Sequence, residues 1–156
     1  LPGKILLEFS KEGYEGLDVT RIGIYKNAFE LIKENPFFGI GAGSFTEIFF
    51  LNTNFWKGHS HNLFFELSIS YGLPATIIFF STTINILYSS SKKIFSNKMK
   101  IDVPYIDRAF WTALFFFLIS QLADVQYFDG KISLITWILI AGLKNIILDK
   151  DYRTLG

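Results

Sequence analysis

Hydrophobic and polar positions divide this chain into a mixed first segment and three long apolar stretches. Residues 1–61 mix charged, polar and apolar side chains, whereas residues 62–90, 109–125 and 132–148 hold one charged residue each. A helix of about 20 apolar residues crosses the hydrocarbon core of a bilayer. The pattern predicts an all-α fragment of a polytopic membrane protein, with about three transmembrane helices after a helical polar segment. Three buried helices of a large soluble core are the alternative, but stretches apolar on all sides and joined by a Lys-rich loop favour the membrane.

The first segment has its own helical pattern. Asp18 and Thr20 are N-cap candidates for a helix over Arg21–Glu34, which Asn35-Pro36 would end. Its apolar stripe consists of Ile24, Ala28, Leu31 and Ile32. A glycine loop over 39–43 then leads to a short Phe-rich helix over 45–51, expected at the membrane surface. In the first apolar stretch, Gly72-Leu73-Pro74 predicts a kink.

The charges of the short loops predict the orientation. The loop 91–108 holds five Lys/Arg, and the turn 126–131 holds only Lys131. The positive-inside rule therefore places 91–108 in the cytoplasm. Three spans then place residues 1–61 outside and the tail, residues 149–156, inside.

Composition excludes several classes of protein. Charged residues make up 19% of the chain, below the about 25% of soluble domains. The absence of Cys excludes disulfides and thiolate chemistry, and the formal charge of +1 gives no reason to expect nucleic acid as a partner. Since the chain begins at Leu1 without a signal-peptide pattern, we expect the C-terminal part of a longer protein. Without its N-terminal transmembrane half, the fragment is expected to be inactive.

Two histidines, His59 and His61, lie where the polar segment meets the first apolar stretch, and Glu66 follows about a turn later on what we expect to be the same helix. They are either interfacial residues, one of them a cap, or a functional group, since histidine readily takes a proton near neutral pH. Zinc is disfavoured because residues i and i+2 do not share a helical face and no further ligand has suitable spacing. Asp124, near the outer end of the second span, reaches either interfacial water or the pocket of His61.

Arg21 and three glycines each have two interpretations. Arg21, the only Arg in residues 1–61, is either a solvated charge or a phosphate clamp. Gly39, Gly41 and Gly43 form either a tight turn or a backbone nest for an anion. Because they lack the Lys-Ser/Thr of a P-loop, the turn is favoured.

Two blocks of residues resemble the bacterial O-antigen ligase/polymerase family. His61-Asn62, followed after nine residues by Gly72-Leu-Pro-Ala-Thr, is similar to the family signature. The chain departs from the signature at two positions: Ala75 replaces its second Gly, and Ile77 replaces its last Thr. Upstream, Arg21 with the Asn35-Pro-Phe-Phe-Gly-Ile-Gly-Ala-Gly-Ser-Phe45 stretch is similar to the block that precedes the family's His. The two blocks cover roughly residues 21–76.

The resemblance implies a metal-independent glycosyltransferase of the bacterial inner membrane, without cofactors, and with residues 1–61 in the periplasm. The donor would be a polyprenyl-diphosphate-linked glycan and the acceptor a lipid-linked glycan or lipid A-core. His61 would be the catalytic or acceptor-activating residue, and Arg21 would bind the donor diphosphate. Because members often use a second periplasmic Arg, the second cation here is either a Lys, of which Lys57 is the nearest, or a residue of the N-terminal part of the longer protein. Asn62, Glu66, Gly72 and Asp124 are expected to support the site.

Two rival functions remain at this point. Some relatives with this pattern carry an inorganic-carbon-transport label, which would make His61, Glu66 and Asp124 line a path across the membrane. A helper protein that binds lipid-linked glycan without catalysis would need Arg21 but not His61.

Overall fold

The computed structural model describes residues 21–95 and 105–149, which form five α-helices and no β-strand. The helices are α1 (Arg21–Glu34), α2 (Ser44–Thr53), α3 (Leu63–Ile94), α4 (Tyr105–Ser120) and α5 (Gly130–Leu148). The chain divides into two compact units, residues 1–75 and 76–156. The cap candidates Asp18 and Thr20, most of the tail and residues 96–104 of the loop lie outside the described residues.

The first unit has a core built by the predicted apolar stripe of α1. Ile24, Ala28, Leu31 and Ile32 are all buried, as the pattern predicted. They share one cluster with Ile69 of α3 and with Phe45 and Phe49 of α2, whose rings stack at 5.4 Å. Phe45 and Phe49 are four residues apart and therefore lie on one face of α2. The Phe-rich short helix is thus fixed by its own buried face.

The glycine loop and α3 exchange backbone hydrogen bonds at the predicted kink. Gly72 has φ 85° and ψ 164°, so the helical hydrogen-bond pattern breaks there. Leu73 N, which in an unbroken helix would donate to Ile69 O, donates instead to Pro36 O at 2.8 Å. Ile69 O accepts from Ile40 N at 2.7 Å. Because Pro74 has no N–H, the carbonyl of Ser70 is also open, and Gly41 N donates to it at 3.2 Å.

The second unit packs the later turns of α3 against α4 and α5. Its core cluster consists of Ile86, Leu87, Ile94, Leu114, Ile140, Leu143 and Ile146. Trp111 Nε1 donates to Leu87 O at 2.9 Å and ties α4 to α3. Lys93 Nζ donates to Ile146 O, Ile147 O and Asp149 O at 2.7 to 3.0 Å, so that a lysine of α3 caps the C-terminus of α5.

Two helices, α3 and α5, are long and apolar enough to cross a membrane. In their most apolar 18-residue windows only 44% and 22% of the residues are buried within the chain. Such exposure is unlike the core helix of a soluble protein and leaves many apolar side chains facing outward. The fold is therefore that of a helical membrane protein.

The second predicted span, 109–125, has different bounds in the structure. Helix α3 has 32 residues and α5 has 19, whereas α4 runs over Tyr105–Ser120 and has 16. It ends early because the buried side chain of Gln121 accepts hydrogen bonds from Gln126 N and Tyr127 N, at 2.8 and 3.0 Å, and turns the chain. The expected tight turn at 126–131 is also shorter, because α5 begins at Gly130 with Asp129 as its N-cap.

Candidate active site

The segment 54–62 between α2 and α3 carries both histidines and is tied to both of those helices. Thr46 Oγ1 of α2 donates to Gly58 O at 2.9 Å. Ser60, which is fully buried, donates its backbone N–H to Glu66 Oε2 of α3 at 2.8 Å, and its Oγ donates to Asn62 O at 3.1 Å. These bonds give the segment a defined path although it has no helix or strand of its own.

His61 precedes helix α3 and does not belong to it. Its φ of 54° lies in the left-handed region, and α3 begins two residues later at Leu63. The expectation that His61 and Glu66 share a helix was therefore wrong. The two residues are nevertheless linked, because Glu66 accepts from the backbone N–H of Ser60, the residue before His61.

The backbone of His61 is bound by side chains on both sides. Its N–H donates to Nδ1 of His59 at 3.2 Å. Its carbonyl oxygen accepts a long hydrogen bond of 3.5 Å from the hydroxyl of Tyr25 on α1. The two imidazole rings meet edge to face, with centroids 4.4 Å apart. Since Nδ1 of His59 accepts this bond, the proton of neutral His59 lies on Nε2.

Asn62 is the N-cap of α3. Its Oδ1 accepts from Phe64 N at 2.9 Å and from Phe65 N at 3.4 Å, the two N–H groups that a capping side chain normally satisfies. Glu66, only 4% exposed, adds a second contact from the first turn back to the preceding segment. The start of α3 is therefore fixed immediately beside His61.

The two cations predicted to bind the donor lie in the same unit as His61. Arg21 is exposed in the first turn of α1 and lies four residues before Tyr25, on the same side of the helix. Lys57 is half-buried in the segment 54–62, four residues before His61. Among the described residues, neither side chain forms an ion pair with a carboxylate.

The glycine loop forms a tight turn in which three backbone amides are already bonded within the chain. Gly39 N donates to Asn35 O at 3.2 Å, and the amides of Ile40 and Gly41 donate to α3. These three N–H groups are therefore not directed at a ligand, which supports the turn interpretation over the anion nest. Gly72 supports the same contact from the α3 side.

Asp124 lies in the second unit, in the turn after α4. Its carboxylate is exposed, and Oδ1 accepts from Val125 N at 2.9 Å. The sequence placed it near the end of a span; the structure places it four residues beyond the end of α4.

Three contributors to the site were not selected from the sequence. They are Tyr25, His59 as a hydrogen-bond acceptor, and Ser60. Tyr25 had one available signal, its position one helical turn after Arg21 on the predicted helix. The contacts of His59 and Ser60 depend on the left-handed turn at His61, for which the sequence carries no glycine or other marker.

The sequence model of the O-antigen ligase family matches residues 4–80. That range includes α1, α2, the glycine loop and the whole of the histidine segment. Over this range the chain is similar to the O-antigen ligase family. The resemblance drawn from His61, Gly72 and Arg21 is thereby confirmed. Searches of curated proteins and of solved structures gave no match.

The match to the O-antigen ligase family indicates a membrane protein with a glycosyltransferase-like function and lipid-linked glycan substrates. The family range ends within α3, so α4 and α5 lie beyond it. The residues that the ligase resemblance assigned to chemistry, His61, Arg21 and Lys57, all lie inside the matched range.

Proposed function

We propose that this chain is part of a glycosyltransferase that moves a glycan from a polyprenyl-diphosphate donor to an acceptor hydroxyl at the outer face of the bacterial inner membrane. The acceptor is a second lipid-linked glycan or lipid A-core. The observation that carries the proposal is His61 itself, which lies inside the family range with its backbone bound on both sides.

The reaction follows from the groups near His61. The imidazole of His61 takes the proton of the acceptor hydroxyl as the oxygen attacks the anomeric carbon. The bond from that carbon to the diphosphate oxygen breaks, and the polyprenyl diphosphate leaves with its electron pair. Direct displacement inverts the anomeric carbon. Because diphosphate is a good leaving group, the reaction needs no general acid.

Arg21 and Lys57 bind the donor diphosphate in this proposal. Negative charge on the leaving group grows in the transition state, so cations placed there stabilise it more than the ground state. Tyr25 connects Arg21 to the site, since it lies one turn from Arg21 and its hydroxyl reaches His61 O. Asn62, Glu66 and Gly72 fix the surrounding backbone. Asp124 is a further candidate for the support of the site.

The proposal is tested with the full-length protein in detergent, a polyprenyl-diphosphate oligosaccharide and candidate acceptors. His61→Ala is expected to abolish transfer while donor binding persists. Asn52→Ala, an exposed change on α2, is the matched control and is expected to leave transfer unchanged. Transfer that survives in His61→Ala would remove His61 from the reacting step. Absence of transfer by the folded wild-type protein with every acceptor would favour the transport hypothesis instead.

A further inference from the structure

Two neighbouring side chains bind the backbone amides of Ser60 and of His61, and His61 has a left-handed conformation. A non-glycine residue with positive φ is uncommon, and it persists where surrounding bonds determine it. In this chain, His59 binds the amide of His61 and Glu66 binds the amide of Ser60. Two successive peptide N–H groups are thus held by side chains and not by a helix or sheet.

Glu66 is placed to make a strong bond. Its side chain is almost fully buried, at 4% exposure, and Oε2 lies 2.8 Å from Ser60 N. A buried carboxylate is costly unless it accepts hydrogen bonds, and a bond to a charged acceptor is stronger than a neutral one. Removal of the carboxylate would leave the amide of fully buried Ser60 without its acceptor.

His59 contributes through its ring nitrogen Nδ1. Its Nδ1 accepts from His61 N at 3.2 Å, and the ring lies against that of His61. An asparagine at this position has its Oδ1 on the same Cγ atom that carries Nδ1 in histidine. A glutamine has its Oε1 one carbon further from the backbone. An asparagine can therefore replace Nδ1 as the hydrogen-bond acceptor, whereas a glutamine cannot. Comparing the two variants shows whether an acceptor at the Nδ1 position is what matters.

We propose that His59 and Glu66 are positioning residues that hold the backbone of His61 in its left-handed conformation and so present its imidazole to the acceptor. The proposal rests on the proposed function for its effect on transfer. Its structural part, the support of the two amides, holds whatever reaction the site performs.

The test compares transfer by His59→Asn, His59→Gln and His59→Ala in the full-length protein. We expect the kcat of His59→Asn to stay within about twofold of the wild-type value. His59→Gln and His59→Ala are expected to lower kcat about 3- to 10-fold, the range for loss of one neutral hydrogen bond.

For Glu66, the Gln variant is expected to retain transfer because its Oε1 still accepts from Ser60 N. Glu66→Ala is expected to lower kcat about tenfold or more, since the lost bond has a charged acceptor. The KM for the donor is expected to change little in every variant.

Hydrogen exchange of the amides at 59–62 supplies a readout that needs no substrate. Exchange is expected to accelerate in Glu66→Ala and His59→Ala but not in Glu66→Gln or His59→Asn. Unchanged exchange in both Ala variants would overturn the proposal. So would equal loss of kcat in His59→Asn and His59→Ala, because the ring would then act through more than Nδ1. Accelerated exchange in a protein that transfers no glycan would contradict the proposed function and still support the positioning role.

Discussion

Gly39 and Gly72 lie on opposite sides of a crossing of two backbone segments, and neither has room for a side chain. A Cβ on Gly39 would lie 2.7 Å from Ser70 C and Tyr71 N, and a Cβ on Gly72 would lie 2.8 Å from Phe38 N. Both residues also have positive φ, at 66° and 85°. The close approach permits the hydrogen bonds from the glycine loop to Ile69 and Ser70, which replace those lost at the kink of α3.

Substitution of either glycine is therefore expected to destabilise the protein. Gly39→Ala and Gly72→Ala combine positive φ with an overlap of backbone atoms. Strained backbone alone costs about 1–3 kcal/mol, and the overlap adds to it. Gly43→Ala separates the two effects, because Gly43 has φ 77° but open space at its Cβ position. Thermal unfolding in detergent should give a smaller loss for Gly43→Ala; equal losses for all three variants would show that the crossing itself contributes nothing.

Arg21 is expected to act on donor binding and not on the acceptor. Arg21→Ala should weaken the affinity for a polyprenyl-diphosphate donor by about 10- to 100-fold, the range for loss of a hydrogen bond to a charged group. Arg21→Lys should restore part of it, since an ammonium binds phosphate without the two-pronged geometry. Donor affinity measured by competition with a labelled lipid diphosphate checks this.

Lys26 supplies the control for that series. It is also an exposed cation of α1, but five residues further on it points about 140° away around the helix. Lys26→Ala should leave donor affinity unchanged. Equal weakening by the Arg21 and Lys26 variants would indicate a general attraction of charge and argue against a site at Arg21.

The elements that depend on local sequence were predictable. Helix α1, its buried stripe, its end at Asn35-Pro36 and the kink at Gly72 follow from periodicity, proline and glycine. An element boundary that is set by the hydrogen bonds of one side chain was not predictable. The end of α4 depends on the two hydrogen bonds that the side chain of Gln121 accepts from Gln126 N and Tyr127 N, within a stretch whose apolar character continues to Val125.

The candidate site divides in the same way. His61, Asn62 and Glu66 were identified from sequence spacing, but His61 was assigned to the helix. Periodicity does not separate the last residue before a cap from the first helical turn, and Asn62 proves to be the cap. The hydrogen bonds between the backbone of His61 and the side chains of Tyr25 and His59 arise from tertiary folding and from the left-handed turn at His61. The residue types in this segment do not predict that turn.

Asn62 is expected to contribute to stability through its cap. Asn62→Ala removes the acceptor of Phe64 N and Phe65 N and should cost about 0.5–2 kcal/mol. Asn62→Asp and Asn62→Ser keep a capping oxygen and should lose much less. Chemical or thermal unfolding in detergent measures the series, with Asn52→Ala as an exposed control. A loss in Asn62→Ser as large as in Asn62→Ala would mean that Asn62 acts through something other than its cap.

Lys93 is expected to stabilise the second unit from the C-terminus of α5. Lys93→Met keeps most of the apolar stem of the side chain and removes the ammonium group, which donates hydrogen bonds to three carbonyl oxygens. Loss of bonds with a charged donor should cost about 1.5–3 kcal/mol. Lys92→Met is the matched control, since Lys92 is an exposed residue whose Nζ lies 4.1 Å from the centroid of the Tyr88 ring. Similar unfolding temperatures for the two variants would contradict the capping role.

The topology can be tested by labelling, because the chain contains no cysteine. Single cysteines at Asn52, Lys92 and Lys131, all exposed, report on α2, on the last turn of α3 and on the first turn of α5. If α3 and α4 both cross the membrane, an impermeant maleimide added to spheroplasts should label positions 52 and 131 but not position 92. Helix α4, with 16 residues, is about 24 Å long against an about 30 Å hydrocarbon core, so its crossing requires local thinning or the apolar residues after Ser120. Protection of both 92 and 131 would show that α4 does not cross, and would place α5 in the opposite orientation from the one that the loop charges predict.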